Sequence, residues 1–178
     1  ETYMPIFISF TAHTNANQTQ DIIDARFERR LKGVYSPLDR KRAVIFFDDV
    51  NMPAKEIFGA QPPIELLRQW LDHGGWYDRK QLEFHKLINS QIICACGHPG
   101  GGRQHLTARF IRHFNIFNFP EMQDESLRKI FKTMLDSYLT IFDSSIQAIT
   151  LPITDATIQV YNTVRKTMLP IPSKSHYT

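Results

Sequence analysis

Apolar residues along the chain fall into two patterns, short unbroken runs and stripes at helical spacing. Ile6-Phe7-Ile8-Ser9-Phe10 is the first run and predicts a short buried strand. Ala43-Val44-Ile45-Phe46-Phe47 is β-branched and aromatic throughout, which predicts a strand covered on both faces, as in a parallel sheet. Leu87 to Ala95 predicts a third strand and Phe114 to Phe119 a fourth. Between these runs the period changes. Ile22, Ile23, Phe27 and Leu31 recur at helical spacing from Gln18 to Lys32, and the basic turn Arg29-Arg30-Leu31-Lys32 before Gly33 suits a helix C-terminus. Pro62-Pro63 opens a helix striped by Ile64, Leu67, Trp70 and Leu71, which His73-Gly74-Gly75 ends. A short helical segment over 106–112 precedes the fourth strand.

Beyond about residue 121 only helical patterns remain. Asp124 is placed to cap a helix striped by Leu127, Ile130, Phe131, Met134 and Tyr138, and a second helix is expected over 154–169. Strands alternating with helices imply an α/β fold, a doubly wound parallel sheet with right-handed crossovers. The helical remainder implies a second, smaller unit, with the units spanning 1–120 and 121–178.

Composition narrows the function classes. The formal net charge of +3 arises from 21 basic and 18 acidic residues. That balance argues against a nucleic-acid partner and against a polybasic membrane surface. No apolar run approaches the ~20 residues that cross a bilayer. Cys94 and Cys96 lie in an apolar run, too close along one strand for an easy disulfide, and are expected to be buried thiols in a reducing compartment. The ends of the sequence, with no initiating Met and no terminal element, read as cuts from a longer polypeptide.

Candidate chemistry gathers where strands end. Asp48-Asp49 follows the hydrophobic run 43–47, and open α/β sheets bind ligands at the carboxyl ends of their strands. In P-loop ATPases the acid there holds Mg²⁺ on the nucleotide phosphates, and the next acid can orient the attacking water. A solvated turn after a strand is the alternative. Gly97-His98-Pro99-Gly100-Gly101-Gly102-Arg103 follows the third predicted strand. Its glycines permit close backbone approach, although a surface turn explains them as well. No helix there begins with Gly-Lys-Ser/Thr, so it is not a P-loop. Arg103, Arg109 and Arg112 precede the fourth predicted strand; they fit either an arginine finger or solvated surface charge.

Taken together, several segments resemble the motor of dynein heavy chains, and specifically its third AAA+ module. They are Asn17–Gln20, Phe47–Glu56, Gly59–Asp78, Pro99–Arg103, Arg109–Phe114 and Leu169–Tyr177. They cover nearly the whole chain in the expected order, and the wording of 48–56 and 99–103 is similar to axonemal dyneins. The resemblance implies a P-loop NTPase-like AAA+ large α/β subdomain over 1–120 and the start of a helical small subdomain over 121–178. It implies ATP or ADP with Mg²⁺ as cofactors of the parent motor, and work as an ATP-driven, minus-end-directed microtubule motor in the axoneme of a cilium or flagellum. Implied partners are neighbouring AAA+ modules, microtubules and dynein intermediate and light chains; nucleic acid and membrane are not expected.

Residue by residue, Asp48 matches the Walker B magnesium ligand. Asp49 stands where AAA+ ATPases usually carry the catalytic Glu, and its side chain is one methylene shorter. Gly97 stands at the sensor-1 Asn position and offers no side chain to water or phosphate. Arg109 matches the arginine finger, which serves the neighbouring module in trans. Arg112, three residues on, is the alternative nucleotide-contacting arginine. No Gly-x4-Gly-Lys-Ser/Thr string occurs in the 178 residues. The isolated chain is therefore expected to bind nucleotide weakly and to be inactive by itself. A non-catalytic scaffold derived from a dynein is the other reading.

Overall fold

The computed structural model describes residues 2–168. Its elements run β1 (Tyr3–Ser9), α1 (Ala16–Asp24), β2 (Phe27–Leu31), β3 (Val34–Pro37), β4 (Arg42–Asp48), α2 (Pro62–His73), β5 (Gly75–Tyr77), β6 (Phe84–Leu87), β7 (Ser90–Cys94), α3 (Ala108–Ile111), α4 (Asp124–Leu139), α5 (Ser144–Gln147) and α6 (Thr150–Thr167). The fold is α/β and falls into two compact units that meet in sequence between Asn115 and Ile116.

Three strands of the first unit form a parallel sheet in the order β1-β4-β7. β4 lies between its neighbours, with Ile6 opposite Ile45 and Ile45 opposite Ile92. Its residues Ala43, Ile45 and Phe47 are fully buried, whereas Val44 and Phe46 are only half-buried and Phe7 and Ile93, which flank Phe46, are exposed; the cover expected on both faces is complete on one face only. Parallel register brings the carboxyl ends of all three strands to one edge, which is what assembles the site described below.

Helix α1 begins with a capping box in which Asn15 and Gln18 exchange side-chain and backbone bonds. It ends at Asp24, which corrects the helix expected over 18–32. Residues 27–31 form β2, paired antiparallel with β3. Gly33, at φ +70°, turns the chain between these two strands instead of capping a helix. A left-handed glycine serves both purposes, so the signal at Gly33 did not discriminate between them. β2 and β3 belong to a second sheet, ordered β2-β3-β6-β5, that no sequence pattern announced. Its strands have three to five residues, too few to display a period.

The single strand expected over 87–95 is two strands. Asn89, at φ +57°, breaks it, leaving β6 in the small sheet and β7 in the parallel one. Cys94 in β7 is half-buried and Cys96 is exposed, which corrects the expectation of two buried thiols. Burial pushes the Cys94 thiol up to about 12, assisted by the neighbouring Cys96, so it stays protonated and unreactive.

The fourth strand expected over 114–119 is absent. These residues form no strand, and Ile116, Phe117 and Phe119 are exposed. Aromatic and β-branched residues favour a strand only when a neighbouring edge accepts their backbone bonds, and no described strand pairs with them. Helix α2 follows its pattern, with Pro at its first positions, Gly74 left-handed at its C-terminus, and Ile64, Leu67 and Trp70 buried. Trp70 packs edge-on against Trp76 at 4.9 Å and against Phe27 at 6.3 Å. Trp76 donates its indole N–H to Asp24 across 3.0 Å.

The second unit is helical. Gln123 occupies the N-cap of α4 and makes no side-chain capping bond, whereas Asp124 lies in the first turn and accepts from Asn162 at 3.1 Å; the expected cap at Asp124 is corrected accordingly. α6 begins at Thr150, four residues earlier than expected. Leu169 and the resembling segment 169–177 lie outside the described residues.

Candidate functional site

The loop that leaves β4 is fastened on both sides. Phe10 N–H bonds to the Asp48 carbonyl at 2.9 Å, and Val50 N–H to the Ala95 carbonyl at 3.0 Å. Met52 N–H closes onto the Asp49 carbonyl at 2.8 Å, and Gln104 N–H onto the Asn51 carbonyl at 2.8 Å. Asn51 is fully buried, and its amide Nδ2 donates to the Gly97 carbonyl at 2.9 Å. Its Oδ1 is buried without a hydrogen-bond partner. The strand-end loop and the loop after β7 therefore form one cross-linked edge, held largely by backbone groups.

Two carboxylates stand on that edge. The Asp48 Oδ1 accepts from the Asp49 N–H at 3.0 Å, while the rest of the Asp48 side chain faces solvent. Asp49 has φ +50°, a left-handed conformation that Asp tolerates better than most residues and that a non-glycine rarely adopts without reason. Its Oδ1 accepts from Arg103 Nη2 at 3.0 Å and from Nε at 3.2 Å. Both side chains of the pair are largely withdrawn from solvent, so the attraction is screened less than at an open surface.

Position 97 shows how Arg103 reaches this place. A Cβ at Gly97 would lie 2.5 Å from Arg103 Nε and 2.9 Å from its Cζ. The arginine thus fills the space that a side chain at 97 would need. Gly100, Gly101 and Gly102 all have positive φ, and Gly100 and Arg103 exchange backbone bonds of 3.1 and 3.0 Å across the turn. Glycine is the residue that takes such conformations without strain, and here the run returns the chain so that Arg103 lies over Gly97.

The structure brings Asp48, Asp49, Gly97 and Arg103 together at the end of the parallel sheet. Arg109 and Arg112 sit elsewhere, on and just after α3, facing acids of α2. Arg109, an exposed side chain, contacts Glu65 at 3.3 Å. Arg112 contacts Asp72 at 2.6 Å, and His113 meets the same carboxylate at 3.0 Å. Arg68 bridges Glu65 and Asp72 along α2, closing the ladder. Bonding to Arg112, then to Arg68, holds the Asp72 carboxyl below the usual range. Sequence alone assigns no role to Asn51 and no partner to Arg103. A pairing across 54 residues leaves no local pattern, and Asn51 passed for part of a loop.

Asp48 is the residue expected to hold a magnesium ion, and the donors around it can be tested against that expectation. Among the described residues no group of three His, Cys, Asp or Glu side chains could cage a metal. One carboxylate facing outward at a strand end suits Mg²⁺, which keeps waters and phosphate oxygens as most of its ligands. Among the described residues no helix is long and apolar enough to cross a membrane.

Comparison with known proteins supplies a context for this edge. The family described as the P-loop containing dynein motor region matches residues 1–122. Dynein axonemal heavy chain 1 of Homo sapiens is 48% identical over 99% of the chain. Dynein axonemal heavy chain 3 of Mus musculus is 48% identical over 98%, and dynein axonemal heavy chain 12 of Rattus norvegicus 47% over 99%. The chain spans only 4% of the length of the first two relatives and 6% of the third.

Proposed function

The chain belongs to the family of the P-loop containing dynein motor region, and from that premise we propose that it is the core of a nucleotide site in the third AAA+ module of an axonemal heavy chain. Residues 1–120 are then part of the large AAA+ subdomain and 121–178 the beginning of the small one. The parent is an ATP-driven, minus-end-directed microtubule motor of the cilium or flagellum, working in the axoneme with its neighbouring modules, microtubules and intermediate and light chains.

One observation carries this reading: Asp48 and Asp49 stand at the carboxyl end of the central strand of a parallel sheet, on a loop tied to both neighbouring segments. Asp48 would hold Mg²⁺, which when bound would supply charge neutralisation at the phosphates of ATP or ADP. Asp49 orients the water that attacks the terminal phosphate, from a position set back by its short side chain. Gly97 contributes no side chain, and its carbonyl is held by Asn51. The backbone N–H groups and Lys of a P-loop are absent from the 178 residues, so the chain by itself binds nucleotide weakly.

Arg109 acts in trans on the nucleotide of the preceding module. Its exposure on α3 and its loose hold on Glu65 leave the guanidinium available to a neighbour. Arg112, held closely by Asp72, is the secondary contact.

Single-turnover hydrolysis in the full-length heavy chain, with its main ATPase module silenced, tests the assignment. Asp49→Glu should raise turnover at this site by about tenfold, since a misplacement of ~1 Å can cost ~100-fold. An unchanged or lower rate would mean that the short side chain of Asp49 is not the limiting defect.

A further inference from the structure

Granted the nucleotide site at Asp48 and Asp49 on which it rests, we propose that Arg103 is its phosphate sensor, supplying from the glycine turn the group that position 97 lacks. The chemical class it recognises is the terminal phosphate of a nucleoside triphosphate. Three observations converge on this role. The guanidinium occupies the volume that a side chain at Gly97 would take, within 3 Å of the position its Cβ would hold. It contacts, through Nε and Nη2, the carboxylate next to the magnesium-binding Asp48. The turn that delivers it consists of three glycines in conformations other residues avoid, pinned by the paired Gly100–Arg103 bonds.

Arginine is suited to such an exchange. Its planar fork binds a carboxylate or a phosphate with the same donors, so one anion can replace the other without rearrangement of the side chain. With no terminal phosphate present, Arg103 holds Asp49 and occupies its Oδ1. A terminal phosphate, more highly charged than a carboxylate, draws the guanidinium away and leaves the Asp49 carboxylate open to water. Hydrolysis competence is thereby tied to the presence of a triphosphate, and a diphosphate leaves the pair closed. Asn51 keeps the loop in register during the exchange by fixing the Gly97 carbonyl.

The proposal predicts a coupling between positions 97 and 103 that a structural ion pair would not produce. In the full-length heavy chain, affinities of this site for Mg-ATPγS and Mg-ADP are measured by site-resolved occupancy in cryo-EM titrations. Arg103→Ala should lower the ATPγS affinity about tenfold or more, the scale of one hydrogen-bonded charge contact, and leave Mg-ADP affinity unchanged. Gly97→Ala, which evicts the arginine by its added Cβ, should do the same. The double variant should lose no more than either single one. Should Arg103→Ala fail to fold, Arg103→Lys keeps the charge without the fork and should show a smaller drop confined to ATPγS. An equal loss for both nucleotides, no loss, or additive losses at 97 and 103 would overturn the sensor role. A wild-type site that binds neither nucleotide would instead overturn the nucleotide reading beneath it.

Discussion

Helices α2 and α4 carry the same kind of apolar stripe and meet opposite fates. Ile64, Leu67 and Trp70 of α2 are at most 4% exposed, and Trp70 packs against Trp76 and Phe27. Ile130, Phe131, Met134 and Tyr138 of α4 are 44–66% exposed, and α4 buries no residue. Within its own unit α4 is held to α6 partly by polar links, Arg128 to Asp155 at 2.5 Å and Asn162 to Asp124 at 3.1 Å. An open apolar groove lined by Phe131, Met134, Tyr138 and Ile153 remains. Helical periodicity therefore states that a face favours cover; it does not state that the chain supplies the cover. The candidate nucleotide edge is built on the unit that contains the buried core, where fixed geometry is available to hold it.

The contrast is broken most directly by native-state hydrogen exchange. Amides of β4, whose inward residues are fully buried, should exchange only through global opening, at a cost of about 5 kcal/mol or more. Amides of α4 should exchange through much smaller openings. Equal protection in the two elements would mean that the helical unit is as well consolidated as the sheet.

Truncation gives the next largest difference. Trp70→Ala should cost about 3–5 kcal/mol in chemical denaturation, because it empties the junction between Trp76 and Phe27. Met134→Ala, at an exposed position, should cost less than about 1 kcal/mol. Comparable costs would refute the difference in packing.

The smallest effect sharpens the comparison by pH. Burial raises the Asp24 carboxyl above its ordinary value, and the Trp76 N–H offsets this only in part. The folded state therefore retains the proton more strongly than the unfolded one. That contribution is fully present below the unfolded value near 3.8 and is lost as pH rises through the folded one. Asp24→Asn keeps an acceptor for Trp76 and removes the half-buried charge. At pH 7 it should be as stable as the parent or better, by less than about 1 kcal/mol, with a flatter profile above pH 4. A clear loss at pH 7 would show that the charged form is stabilised by groups other than Trp76.

Several features were determined by the sequence alone. The strand at 43–47 could be read from its unbroken β-branched and aromatic run, although the structure fully covers only one of its faces, and α2 because proline, stripe and glycine agree on its limits. The acids at 48 and 49 declared themselves by ending such a strand, and the long shared segments declared the dynein family. Tertiary structure decided the rest. Phe27–Leu31 became a strand because β3 offered it an edge, and Phe114–Phe119 stayed irregular because no described strand did. Backbone pairing energy depends on a partner that local pattern does not contain. The Asp49–Arg103 pair, the reason for glycine at 97 and the tether from Asn51 likewise arise only when two strand-end loops are brought together by the register of a parallel sheet.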